Sequence, residues 1–179
     1  MSKKYELVMN DSIVHEGRTL YRIRAVRDIV NLSGQVMVSK GELGGYIEGE
    51  RNLGQTGLSW IYNNGKVYDK ATVYGDATVD DDAEVYDYAK VGDDAKIRGF
   101  AKIHGWAKIC GHAEICGHAE ICGIAEIRDY AKVYEYATVS GGTVYSAKVH
   151  GHAKVFLCAI IHDGAEVCDE TEVDYIVKV

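Results

Sequence analysis

Between residues 110 and 122 the chain reads CGHAEICGHAEIC, which places Cys110, His112, Cys116, His118 and Cys122 in one short run. Thiolate sulfur and imidazole nitrogen are the ligands of tetrahedral zinc centres, so the run first reads as a metal site. A second set surrounds it. Tyr86, Arg98, His104, Trp106 and Arg128, together with His112 and His118, supply aromatic faces, guanidinium forks and imidazole donors. That combination suits a planar anionic ligand of nucleotide type, held by stacking and charge-assisted hydrogen bonds. No glycine-rich phosphate loop accompanies it. Scattered surface residues of a repeat account for the same side chains equally well.

The elements that must position these residues are set by an internal repeat. Alanine recurs every six residues from Ala71 to Ala137, and Val or Ile stands two residues after each alanine. Two residues further on, from Asp69 to Gly141, the position is Gly or Asp, with Glu135 the exception. An α-helix cannot use this spacing, because six residues advance it by about 600° and the apolar set would spiral around the axis. A short strand can, since alternation turns Ala and Val or Ile inward while the Gly or Asp tolerates the left-handed conformation of a tight corner. Three hexads therefore close an 18-residue triangular coil, and coils stack about 4.8 Å apart. Successive hexads turn by about 120°, so Cys110, Cys116 and Cys122 leave from three different faces and cannot converge within one chain. Only a symmetric oligomer could gather copies of His112 or His118 around an axis. No metal and no cofactor is expected.

The predicted architecture is all-β: an N-terminal β-rich cap over residues 1–44, in which Thr19 to Val26 alternates as a strand, and a parallel β-helix of about seven coils over 45–179. Ile47 and Leu53 serve as early core positions, separated from Ile61 by a two-residue insertion. Val139, Val144 and Val149 are five apart, so the phase shortens over 137–146 before spacing six resumes. Residues 18 apart should stack, so the row Lys66, Glu84, Lys102, Glu120 alternates in sign on one face. The corner residues Tyr88, Trp106 and Ile124 form the most apolar stripe, which suits burial between copies in a homotrimer. Ala and Val or Ile fill the interior, so function must lie on faces, corners or subunit contacts.

Composition narrows the partners. Twenty Lys and Arg against 27 Asp and Glu give a net charge of −7, which disfavours direct nucleic-acid binding. The chain shows neither a leader-like apolar run nor a long apolar span, and its five cysteines are an odd number, so a soluble, cytoplasmic protein with reduced thiols and no membrane association is expected.

The repeat resembles the hexapeptide-repeat, left-handed parallel β-helix proteins, and the left hand is implied by that resemblance. RTLYRIRAVRDI (18–29), GELGGYIEGERNL (41–53) and SWIYNNGKVYDKATVYGDATV (59–79) are similar to the YdcK-like proteins of bacterial and phage or prophage genomes. Members carry transferase or polymer-forming labels by fold analogy, with no established catalytic residues to carry across. The resemblance implies acyl transfer from acyl-CoA as one activity, with a base chosen among His104, His112, His118, His150, His152 and His162. The uninterrupted coils lack the expelled loop that shapes such a groove. The favoured expectation is a non-catalytic oligomer that captures a small anionic, nucleotide-like ligand between subunits. In a phage setting that would be a sponge for a host immune signal. A structural or interaction module is the third reading.

Overall fold

A computed structural model describes residues 3–162 and 164–177. The last two residues of the predicted repeat lie outside this range. The chain forms a parallel β-solenoid of about seven turns, with no α-helix among the described residues. It opens with β1 (Tyr5–His15) and β2 (Arg18–Ala25), which pair antiparallel. A small hairpin of β3 (Ile29–Val30) and β4 (Val36–Val38) follows, then β5 (Leu43–Ile47), which begins the first coil. β5 pairs antiparallel with β2 on one edge and parallel with the coil strand Lys66–Val67 on the other. On this face the edge of the first coil is thereby covered by β2. Beyond β5, two-residue strands stack into three faces, giving sheets of ten, seven and seven strands once β1 and β2 are included.

The 18-residue register holds over the regular coils. Lys66, Glu84, Lys102 and Glu120 are successive ladder partners on the first face. Thr72, Lys90, Lys108 and Glu126 align on the second, and Thr78, Lys96, Glu114 and Lys132 on the third. Each coil donates upward, as Lys66 N does to Ala83 O at 2.9 Å and Glu84 N to Ala101 O at 2.9 Å. In the short-phase region Ile127 pairs with Val144 and Val133 with Val149, so the column step drops below 18 without breaking a sheet. Ile47 and Leu53 lie under Val67 and Val73, as core positions of the first coil. The alanines from Ala71 to Ala137 and their Val or Ile partners are fully buried, which leaves no room for a ligand inside.

The corners explain the Gly and Asp rhythm. Asp81, Asp87 and Asp93 have φ of 58°, 57° and 54°, the left-handed region that Asp tolerates and Gly prefers. One coil later the same corners are Gly99, Gly105 and Gly111. Each donates its amide to the carboxylate beneath, at 3.0, 3.1 and 3.0 Å. Glu135, φ 63°, accepts from Gly151 N at 2.8 Å in the same way. A carboxylate corner therefore caps the amide of the corner above it.

One feature of the cap runs against its residue type. Lys4 is fully buried, and its Nζ donates to Ser59 O at 2.8 Å, Ser59 Oγ at 3.1 Å and Thr56 O at 3.3 Å. Burial first, then repulsion from Arg27, lowers its pKa from 10.5 to about 8. Between these two values the folded chain binds fewer protons than the unfolded chain. The group's contribution to stability therefore rises as pH increases from about 8 to 10.5. Comparison with Lys4→Met cancels the tyrosine and cysteine titrations common to both proteins. The urea midpoint of the natural protein should gain on that of Lys4→Met between pH 7 and pH 10; a flat or falling difference contradicts the assignment.

Candidate functional site

The residue after each Val or Ile points outward, and on the first face these residues build a ring ladder. Tyr68, Tyr86 and His104 stack with centroids 5.1 and 4.8 Å apart and nearly parallel planes, and Cys122 follows one coil on. The tip of the β1–β2 hairpin closes the ladder from below. His15 meets Tyr68 edge-on at 5.3 Å and approaches Glu84 at 3.2 Å, while Arg18 binds Asp69 at 2.7 Å. Both faces of the Tyr86 ring are thus covered by protein. Burial, reinforced by Glu120, pushes its phenol pKa up to about 12.

The corners carry further ladders. Trp106 stacks on Tyr88 at 4.2 Å, and Lys70 Nζ sits 4.9 Å from the Tyr88 centroid. His118 is sandwiched between Phe100 and Tyr136, at 4.9 Å from each. His112 stacks on Tyr130 at 5.0 Å, with Asp94 3.7 Å from its Nδ1. Arg128 lies over the Tyr145 ring at 5.1 Å on the second face. Of the predicted ligand-binding residues, the fold brings Tyr86 and His104 into contact and distributes Arg98, Trp106, His112, His118 and Arg128 over different faces and corners. The apolar stripe is exposed in the single chain, Trp106 to 64% and Ile124 to 76%.

A concave surface forms where the irregular N-terminal segment overhangs the regular coils. Met37 of β4 and Tyr62 face a groove of about 450 Å³. Its floor is the column Thr78, Lys96, Glu114, Lys132, and its rim is the corner column Asp76, Asp94, His112, Tyr130. Glu114 receives Lys132 at 3.3 Å and also Arg98 at 3.4 Å, Arg98 lying just beyond the groove. Three cations, Lys96, Arg98 and Lys132, therefore gather around one floor carboxylate in a chain of net charge −7, and two carboxylates stand on the rim. His112 is the predicted site residue that lines this groove.

Histidine–carboxylate pairs were not visible at six-residue spacing. His104 Nε2 lies 2.9 Å from Glu120 Oε1, and His150 Nε2 lies 3.0 Å from Glu166 Oε1, each spanning 16 residues. A histidine row sits beside the between-Ala-and-Val row of the next coil, so 16 is the spacing that would have found them. As the sequence indicated, Cys110, Cys116 and Cys122 follow strands of three different sheets. Cys122 nevertheless joins His104 and Glu120, with one ligand atom from each within 4.8 Å of the others.

Compared with known proteins, the chain matches no family profile and no curated protein. The fold itself is a parallel β-solenoid. No helix among the described residues is long and apolar enough to cross a membrane.

Burial is the leading cause that raises the thiol pKa of Cys110, Cys116 and Cys122, whereas Cys158 is exposed. The thiolate is the nucleophile, so iodoacetamide at pH 8 should label Cys158 first and the other three several-fold more slowly. Timed peptide mapping checks this, and equal rates at all four would contradict it.

Proposed function

We propose that the chain is a non-catalytic binding scaffold that captures a small anionic ligand with a planar ring, of nucleotide type, in the groove between β4 and the third face. The observation that carries this reading is the polarity of the groove. Its floor carries Lys96 and Lys132 on either side of Glu114, with Arg98 just beyond, so cationic groups stand in reach of an anionic group, while Asp76 and Asp94 on the rim would accept hydrogen bonds from ring amines or hydroxyls. His112, stacked on Tyr130, supplies an aromatic edge beside them. The solid core and short corners favour binding over catalysis, because among the described residues no long loop is expelled from the regular coils.

In the same reading the chain is a hexapeptide-type, YdcK-like protein that assembles as a homotrimer in the cytoplasm. Tyr88, Trp106 and Ile124 are then covered by neighbouring copies, an apolar stripe at a prism corner being suited to three-fold packing. A phage-encoded copy would act by sequestering a nucleotide signal of its host.

Two measurements test the reading. Protein purified without added nucleotide is analysed by native mass spectrometry, and the apo form is titrated with adenosine monophosphate and cyclic di-adenylate. Binding to one of these probes should weaken by about tenfold or more in Lys96→Glu. No binding to either probe at millimolar concentration, or unchanged affinity in Lys96→Glu, overturns the groove assignment. Light scattering should give a trimer for the natural protein and a smaller species for Trp106→Glu, and a monomeric natural protein removes the trimer.

A further inference from the structure

We propose that His104, Glu120 and Cys122 form a binding site for a zinc-class divalent cation on the first face of the solenoid. The three side chains come from two adjacent coils. His104 follows Ile103, Glu120 precedes Ile121 one coil up, and Cys122 follows Ile121, directly over His104 in the 18-residue register. Their ligand atoms lie within 4.8 Å of one another, with His104 Nε2 and Glu120 Oε1 2.9 Å apart. Ligand atoms around tetrahedral zinc are separated by about 3.3–3.8 Å, given metal bonds of roughly 2.0–2.3 Å, so small side-chain rotations close the site. Imidazole, carboxylate and thiolate together select a borderline cation such as Zn²⁺ over Mg²⁺ or Ca²⁺.

The surroundings hold the histidine as a metal ligand needs. Its ring lies flat against Tyr86, and its other nitrogen, Nδ1, is 3.8 Å from Asp87 Oδ2. Asp87 is itself fixed, because it accepts the Gly105 amide at 3.1 Å. At that distance the carboxylate stands in ion-pair range of the far ring nitrogen, where a shorter contact in the metal-bound form would orient the ring and raise its basicity.

The chain repeats this constellation once. Tyr134, Glu135, His150, Gly151, Glu166 and Cys168 take the places of Tyr86, Asp87, His104, Gly105, Glu120 and Cys122. Tyr134 stacks on His150 at 4.7 Å, Glu135 stands 3.6 Å from His150 Nδ1, and Glu166 is 3.0 Å from its Nε2. The two copies differ at the thiol. Gly123 follows Cys122, whereas Asp169 follows Cys168 and takes the thiol at 3.5 Å, away from the cluster. Cys110 and Cys116 stand instead one coil above Gly92 and Arg98, so neither has a histidine beneath it. The first copy is therefore the assembled site, and it lies on a different sheet from the groove.

Reduced, tag-free, full-length protein is titrated anaerobically with Co²⁺ and then with Zn²⁺. One equivalent should bind with a thiolate-to-cobalt charge-transfer band, which Zn²⁺ bleaches. Cys122→Ser should abolish the band, while Cys110→Ser should retain it and report an intact fold. Asp87→Asn, which removes the charge behind His104 but keeps an oxygen that can accept the Gly105 amide at this left-handed corner, should weaken Co²⁺ binding by about tenfold or more, and His104→Gln by more than that. No charge-transfer band in the natural protein, or a band that survives Cys122→Ser, overturns the proposal.

Discussion

Every feature of this molecule depends on the ladder of backbone hydrogen bonds that ties each coil to the next in a fixed register. The ladder works only if every corner turns the chain sharply enough for the following strand to land over its predecessor. Left-handed corner residues make that turn. Asp at one coil and Gly at the next solve the corner together, since the carboxylate accepts the amide above it. Once register is fixed, a one-dimensional sequence becomes vertical columns, and each outward column is free to specialise because the Ala and Val or Ile columns fill the core of the regular coils. Aromatic columns stack at 4.2–5.1 Å, close to the coil spacing itself, so ring stacking costs no distortion of the backbone. Charged columns alternate where they can, as Lys108 does with Glu126 at 3.1 Å and Lys154 with Glu172 at 3.0 Å. These exposed pairs contribute little stability each, and their main effect is to avoid like-charge stacking.

A uniform prism has flat faces, and flat faces hold ligands poorly. A groove arises here where the N-terminal segment departs from the repeat. β1 and β2 extend one face as an antiparallel sheet and pin their tip to Tyr68 and Asp69. The β3–β4 hairpin leans Met37 toward another face and makes a groove of what would otherwise be open surface. The cap therefore covers the first coil's edge on one face and also shapes a depression of the surface. The β2–β5 pairing and the Arg18–Asp69 ion pair attach it, and buried Lys4 adds hydrogen bonds to carbonyl groups at the base of the solenoid that only partly offset the loss of its water shell.

Much of this was legible in the sequence, and the reason is locality. The coil length, the inward rows and the charge ladder all follow from a spacing that repeats many times over, so each repeat corroborates the last. What could not be read was set by contacts that occur once. Lys4 looks like a solvated residue in a polar N-terminus, because nothing near it in sequence reveals the carbonyls of Thr56 and Ser59. The position of Met37 over Thr78 and Lys96 likewise depends on how an irregular hairpin docks. The His104–Glu120 and His150–Glu166 pairs are a different case. Their information was present, but at spacing 16, the offset that links an end-of-strand row to the middle row of the next coil. Neither the six-residue repeat nor the 18-residue column displays it.

The same geometry makes the two candidate sites independent. The groove includes Lys96, His112 and Glu114, and the histidine cluster is His104, Glu120 and Cys122, so the cluster shares two of the groove's coils but lies on a different sheet. Between them lie Ile97, Ile103, Ile115 and Ile121, all fully buried in a core too closely packed to adopt a second arrangement. Coupling between sites needs an element with two states, and a solid core of Ala and Ile tied by a hydrogen bond at every rung offers none along this path. Occupation of one face therefore leaves the other unchanged. The solenoid is a stack of coils on which separate columns present separate side chains, and the other route between the two candidate sites runs through the non-repeating cap, which touches the first-face ladder at Tyr68 and the groove at Met37.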